Sequence, residues 1–246
     1  MNRFVSFDGV SLAWQEMGTG RPLLLLHGLF SSGATNWVRY GTAGVLAEAG
    51  YRVILPDFRG HGGSDAPTDP AAWPDDVLAM DIEAFVSHLG LGDFDLGGYS
   101  MGARTVARLL LRGMTPRRAI LSGMGLGGLT GATARIAWFL RMIEGRGSWP
   151  KGTAEWAAEA FMTQNGLNPD AMRLLLPVQL NTPADALARF TLPVGVVCGA
   201  DDRDNGSAPE LAAALPDARY VEIPGNHMSA VARPELATAM LECLRG

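Results

Sequence analysis

Three residue types that together can break an acyl bond stand at separate, suggestive places in this chain. Ser100 lies in Gly98-Tyr99-Ser100-Met101-Gly102, between an apolar run through Leu96 and a helical run from Ala103 to Leu111. A serine on a tight strand-to-helix turn holds a strained backbone, and its neighbours two before and two after must lack bulk. Gly98 and Gly102 meet that requirement, and Gly97 adds room. The helix N-terminus beside such a serine offers free N–H groups to a developing anion. The hydroxyl itself is a poor nucleophile until an imidazole takes its proton, and the imidazole needs a carboxylate to hold its tautomer and stabilise the imidazolium.

Four histidines are available, and position separates them. His88 falls late in a helical stretch, where it is expected to face solvent. His61 lies in the glycine-rich loop Asp57-Phe58-Arg59-Gly60-His61-Gly62-Gly63-Ser64-Asp65 and reads as a turn residue. His27 directly precedes Gly28-Leu29-Phe30, where its ring supports the loop. His227, after the last apolar run, is the general base. The acid lies among Asp201, Asp202 and Asp204; Asp202 is the first choice, because the chain leaves a strand there, and Asp204 the second. The backbone N–H of Leu29, unencumbered behind Gly28, can point into the same space as Ser100. Asp57 and Arg59 are expected to pair with each other and brace their loop rather than take part in chemistry.

The elements that must position these groups follow from the hydrophobic pattern. Alternation around Asp8-Gly9 predicts a hairpin, Arg3–Phe7 with Val10–Glu16. Leu23–Leu26, Tyr51–Pro56, Phe94–Leu96, Arg117–Ser122, Leu192–Cys198 and Arg219–Ile223 read as strands, several apolar enough to be buried on both faces. Helices are predicted over Trp37–Ala49, Pro74–Leu89 (with Asp75 and Asp76 in its first turn), Ala103–Leu111, from Ser207 or Pro209 through Leu215, and over Pro234–Leu244. Strand–helix alternation of this kind makes an α/β fold: a mostly parallel twisted sheet of about eight strands with helices on both faces. Between residues 123 and 190 the pattern changes to a flexible glycine run, Gly123–Gly128, and amphipathic helices near 132–144, 153–164, 169–176 and 184–188. The expected organisation is a core of residues 1–122 and 191–246 with a helical cap, 123–190, inserted.

Composition narrows the partners. The chain has 246 residues, 48% hydrophobic, with a net charge of −5, so a sizeable core can form and no basic surface invites nucleic acid. The first residues carry no apolar leader, and Leu23–Leu26 is too short to cross a bilayer, so a cytoplasmic, soluble protein without membrane contact is expected. Cys198 and Cys243 have no metal-ligand spacing and read as buried free thiols. No metal or organic cofactor is called for. A monomer or small homo-oligomer acting on a small molecule is the plain expectation.

The motifs in their order resemble the α/β-hydrolase superfamily over essentially the whole chain. His27-Gly28-Leu29-Phe30 looks like its oxyanion loop, Leu55 to Ser64 like a loop frequent in small bacterial members, and Gly98–Gly102 like its nucleophile elbow. Gly199-Ala200-Asp201-Asp202 and Pro224-Gly225-Asn226-His227 resemble the acid and histidine loops. Residues 202–207 depart from the family, which more often has apolar residues and a proline there; this keeps Asp204 open beside Asp202. The resemblance implies acyl transfer by Ser100, Asp202 and His227, with the N–H groups of Leu29 and Met101 as the oxyanion hole, on a small, largely apolar carboxylic ester. Lactone (enol-lactone) or carbon–carbon bond hydrolysis uses the same machinery, perhydrolysis is a side reaction of it, and fold does not decide among them. Epoxide hydrolases and dehalogenases are disfavoured, since they use an aspartate where this chain has Ser100. A hydrolase-like receptor that keeps the pocket without turnover is the alternative from another class.

Overall fold

The computed structural model describes residues 1–245. Eight strands form one sheet: β1 (Asn2–Val5), β2 (Ser11–Met17), β3 (Arg21–Leu26), β4 (Tyr51–Pro56), β5 (Asp95–Tyr99), β6 (Ala119–Ser122), β7 (Val194–Gly199) and β8 (Ala218–Ile223). Their spatial order is β1-β2-β4-β3-β5-β6-β7-β8. The hairpin makes the antiparallel edge, and every pairing from β4 onward is parallel. Leu23, Leu24, Leu25 and Leu26 are wholly buried, as a central strand covered on both faces requires.

Two apolar layers cover the sheet. On one face pack α1 (Thr42–Glu48) and the C-terminal helix Glu235–Arg245, through Leu46, Leu236 and Met240. On the other pack α2 (Val77–Leu89), α3 (Met101–Leu111) and the helix Ala208–Ala213, through Ile82, Phe85, Val106 and Leu211. The helix predicted over Trp37–Ala49 is broken. A wide helical turn over Ala34–Val38 gives way to Gly41, at φ 84°, before α1 begins. Predicted helix 74–89 starts only at Val77. Asp76 sits outside it at φ 65°, its N–H on the Val178 carbonyl and its carboxylate on Arg108, a stronger partner than the helix end.

Between β6 and β7 the described residues carry helices and no strand: α4 (Leu126–Thr130), α5 (Thr133–Glu144), α6 (Ala154–Gln164) and α7 (Pro169–Leu175), followed by a tight helical turn, Ala184–Arg189. The predicted stretches agree within a residue or two. The exception is α4, in a glycine run expected to be loose. Its N–H groups are taken up by the 205–207 loop: Gly128 donates to the Asn205 carbonyl at 2.7 Å and Leu126 to that of Ser207 at 3.0 Å. The remaining helices are α8 (Ala208–Ala213), α9 (His227–Ala230) and α10 (Glu235–Arg245).

Candidate active site

Ser100 occupies the turn between β5 and α3 at φ 55°, ψ −112°, a region that L-residues rarely adopt. Hydrogen bonds hold it there from both sides. Its N–H donates to Ser122 on the neighbouring strand at 2.9 Å, and its carbonyl accepts from Arg104 at 3.0 Å. The two flanking glycines allow the turn. A Cβ on Gly98 would collide with the Gly102 backbone, and one on Gly102 with the Leu26 backbone. The tight β5–α3 turn thus needs glycine at 98, and the crossing of α3 over the end of β3 needs it at 102.

The other two polar groups arrive from the ends of β7 and β8. Ser100 Oγ lies 3.0 Å from His227 Nε2, and His227 Nδ1 lies 2.8 Å from Asp202 Oδ2. With Asp202 accepting at Nδ1–H, Nε2 carries the lone pair that faces the hydroxyl, which is the tautomer a general base needs. Asp202 is buried, which alone would raise its pKa. The hydrogen bond and charge of His227, the Asp204 N–H at 3.0 Å and the Cys198 thiol outweigh this and hold the carboxyl below its ordinary value. Asp204, the second choice for the acid, lines the same cavity but gives its carboxylate to Arg135 at 3.0 Å, not to His227. Asp201 is exposed and pairs with neither. Of the three carboxylates, the structure brings only Asp202 to His227.

Two further contacts locate His227, and sequence reasoning missed both. The Tyr99 hydroxyl donates to the His227 carbonyl at 2.7 Å. The Asn226 side chain caps α9, accepting from Met228 and Ser229 at 3.1 and 3.0 Å. Cys198, read only as a buried thiol, lies beneath Asp202; burial first, then that carboxylate, push its pKa up to about 12.

The loop after β3 is held by side chains from its own end and from the loop after β4. Asn36 accepts the Gly28 N–H at 3.0 Å. His61 Nε2 accepts the Phe30 N–H at 3.2 Å, and His27 Nε2 accepts the Phe58 N–H at 3.0 Å, so the two rings cross-brace the loops. Burial lowers both imidazoles, His27 to about 4 and His61, with His27 beside it, to about 3. His27 supports its loop as expected; His61, expected only as a turn residue, braces the neighbouring loop as well. Leu29 and Met101 line the cavity over Ser100, and neither backbone N–H has an intramolecular partner among the described residues. The expected Asp57–Arg59 pair does not form. Asp57 instead accepts the N–H groups of Gly33 and Gly63 at 2.8 and 2.9 Å. Arg59 turns away into a fully buried bidentate pair with Asp81, both contacts 2.6 Å, and reaches Asp8 in the β1–β2 turn. Each group found a better-placed partner than its sequence neighbour.

Ser100 and His227 open on a cavity of about 630 Å³. Leu29, Phe30 and Met124 wall it from the sheet side; Ile136, Phe139 and Phe161 wall it from α5 and α6. Among the described residues no cluster of three His, Cys, Asp or Glu side chains could hold a metal ion. Also among them, no helix is long and apolar enough to cross a membrane.

An eight-stranded, mostly parallel sheet of this order with helices on both faces is an alpha/beta hydrolase fold. A model of the alpha/beta hydrolase fold family matches residues 21–181, and the chain belongs to that family. Among curated proteins, it is 36% identical over 110 residues to a non-heme chloroperoxidase of Kitasatospora aureofaciens, covering 45% of this chain and 38% of that protein. It is 36% identical over 128 residues to a 2-hydroxy-6-oxononadienedioate/2-hydroxy-6-oxononatrienedioate hydrolase of Burkholderia vietnamiensis, covering 49% and 43%. The alignments thus span less than half the length of these curated relatives. A solved thermophilic esterase from Thermogutta terrifontis superposes with a TM-score of 0.80 at 24% identity, over 100% of this chain and 98% of that one.

Proposed function

We propose that this protein is a serine hydrolase that cleaves a small carboxylic ester with a largely apolar body through an acyl-enzyme on Ser100. One observation carries the reading: the unbroken chain from Ser100 Oγ through His227 to Asp202, facing a cavity lined by Leu29 and Met101. Ser100 Oγ attacks the carbonyl while its proton passes to His227 Nε2. The tetrahedral oxyanion accepts hydrogen bonds from the N–H groups of Leu29 and Met101. The bond to the alkoxide then breaks, and His227 returns its proton to the leaving alcohol. Water repeats the sequence in reverse roles, releasing the acid and restoring Ser100. Asp202, held ionised by its surroundings, orients His227 and stabilises the imidazolium.

In this reading residues 123–190 act as a cap, because α5 and α6 supply the upper apolar wall of the cavity. Lactones share the chemistry, since a lactone is an ester closed on itself. A chromogenic short-chain ester should give a burst of alcohol equal to the enzyme concentration, followed by slower turnover. Ser100→Ala should abolish both phases. Unchanged turnover in Ser100→Ala, or none across a panel of esters and lactones, would refute the proposal.

A further inference from the structure

Helix α3 and the residue that ends it present three arginines one turn apart, Arg104, Arg108 and Arg112. Two are answered by carboxylates. Arg108 grips Asp76 with contacts of 3.0 and 2.7 Å, and Arg112 grips Glu83 with two contacts of 2.7 Å. Arg104 is the most deeply buried of the three, at 6% exposure, and has no carboxylate within ion-pair distance among the described residues. Its guanidinium donates to the Gly128 carbonyl and, at 3.4 Å, to Asn181 Oδ1, both neutral. The charge that acts on it is a like one, Arg135. Burial first, then Arg135, lower its pKa to about 10, so it remains a cation at neutral pH. A buried guanidinium without a counter-charge is costly, and this one has donors to spare.

Its location gives that charge a use. Arg104 lines the cavity that holds Ser100, four residues further along the same chain. The helical rise puts the two about 6 Å apart along the axis. Arg135 also lines the cavity, but Asp204 neutralises it. The walls therefore carry two guanidinium groups against one carboxylate, while Asp202 is committed to His227. A planar guanidinium matches a carboxylate through two parallel N–H···O bonds, and apolar walls around such a pair strengthen it.

We infer that the cavity takes an acyl compound that itself bears a carboxylate, with Arg104 as the seat of that carboxylate while its ester carbonyl reaches Ser100. The inference rests on the serine-hydrolase reading and narrows its substrate class to half-esters of diacids, or lactones that carry a free carboxylate.

The test compares the p-nitrophenyl half-ester of glutaric acid with the p-nitrophenyl ester of monomethyl glutarate, which has the same backbone but no charge. The wild-type protein should favour the acid by about 10–100-fold in kcat/KM, the range for a charge-assisted pair. Arg104→Met should bring the ratio to near one, and Arg104→Lys should keep part of it. A wild-type protein indifferent to the charge overturns the inference, as does a preference that survives Arg104→Met. If Arg104→Met does not fold, the wild-type ratio and its reduction in Arg104→Lys decide. A second measurement needs no turnover: calorimetric titration of glutarate into the Ser100→Ala protein, with saturable binding expected and then lost on adding Arg104→Met or weakened on adding Arg104→Lys. Glutarate binding without Ser100-dependent cleavage of either ester would sink the hydrolase reading and leave the anion seat standing. Cleavage of the neutral ester with neither glutarate binding nor preference for the acid would do the reverse.

Discussion

His61 sets an acid limit on this fold that can be worked out from its surroundings. Its Nε2 accepts the Phe30 N–H at 3.2 Å, and its Nδ1–H donates to the Arg59 carbonyl at 3.1 Å. The ring must therefore be neutral, because a proton on Nε2 would face the Phe30 N–H. Burial, with the His27 ring beside it, lowers the pKa to about 3. The unfolded chain takes up this proton near pH 6.5 and the folded chain does not, so the unfolded state binds the extra proton throughout the interval. Stability contributed by the neutral ring is full above pH 6.5 and drains away as pH falls towards 3. One pKa unit corresponds to about 1.4 kcal/mol, so lowering pH from 6.5 to 4.5 should remove about 2–3 kcal/mol through this ring, a large part of a typical total of about 5–15 kcal/mol. His61→Gln keeps an oxygen able to accept from Phe30 and removes the titration. Urea unfolding of both proteins at pH 7, 6, 5 and 4.5 gives the comparison. The variant should be less stable at pH 7, and its deficit should shrink by about 1.4 kcal/mol per pH unit below pH 6. The buried Asp57 and Asp95 carboxyls, raised by burial, act in the opposite sense just above their ordinary range, so the difference between the two proteins is the readout. Parallel pH dependences for the wild type and the variant would refute the reasoning. His27, lowered to about 4 and 5.1 Å from His61, adds a second loss over the same interval, ending near pH 4.

Two further substitutions test other parts of the structure. Asp202→Asn should lower kcat by about 10³–10⁴-fold, because an amide can present the wrong hydrogen-bonding face to His227, whereas Asp204→Asn should change it by less than about 10-fold; steady-state kinetics on one ester would expose a reversed order. Asp81→Ala leaves the fully buried Arg59 with only Asp8 as counter-ion and should cost about 3–5 kcal/mol in denaturant unfolding, while the surface pair Arg219–Glu242 should cost under about 1 kcal/mol when broken.

Much of the architecture was legible from residue order. The apolar runs at 23–26, 51–56 and 194–198 are strands because only a covered parallel sheet hides such runs, and their alternation with amphipathic stretches leaves few topologies. The elbow was legible because glycine at 98 and 102 is a steric necessity. His227 was legible because only four histidines compete and the other three lie in helices or loops with other work. What the chain order could not decide was which partner a charged side chain would choose. Asp57 and Arg59, Asp76 at its helix end, and Asp202 against Asp204 all turned on the direction a loop takes as it leaves its strand. The same holds for Arg104. Its place one turn beyond Ser100 is written in the sequence, but the absence of a carboxylate around it among the described residues, when Arg108 and Arg112 each have one, exists only once α2, α3, α4 and the 178–181 segment are packed together. Steric and hydrophobic demands act on neighbours along the chain or on whole stretches, and a sequence displays them. Electrostatic pairing depends on distances of a few ångströms between distant segments, and only the tertiary structure sets those.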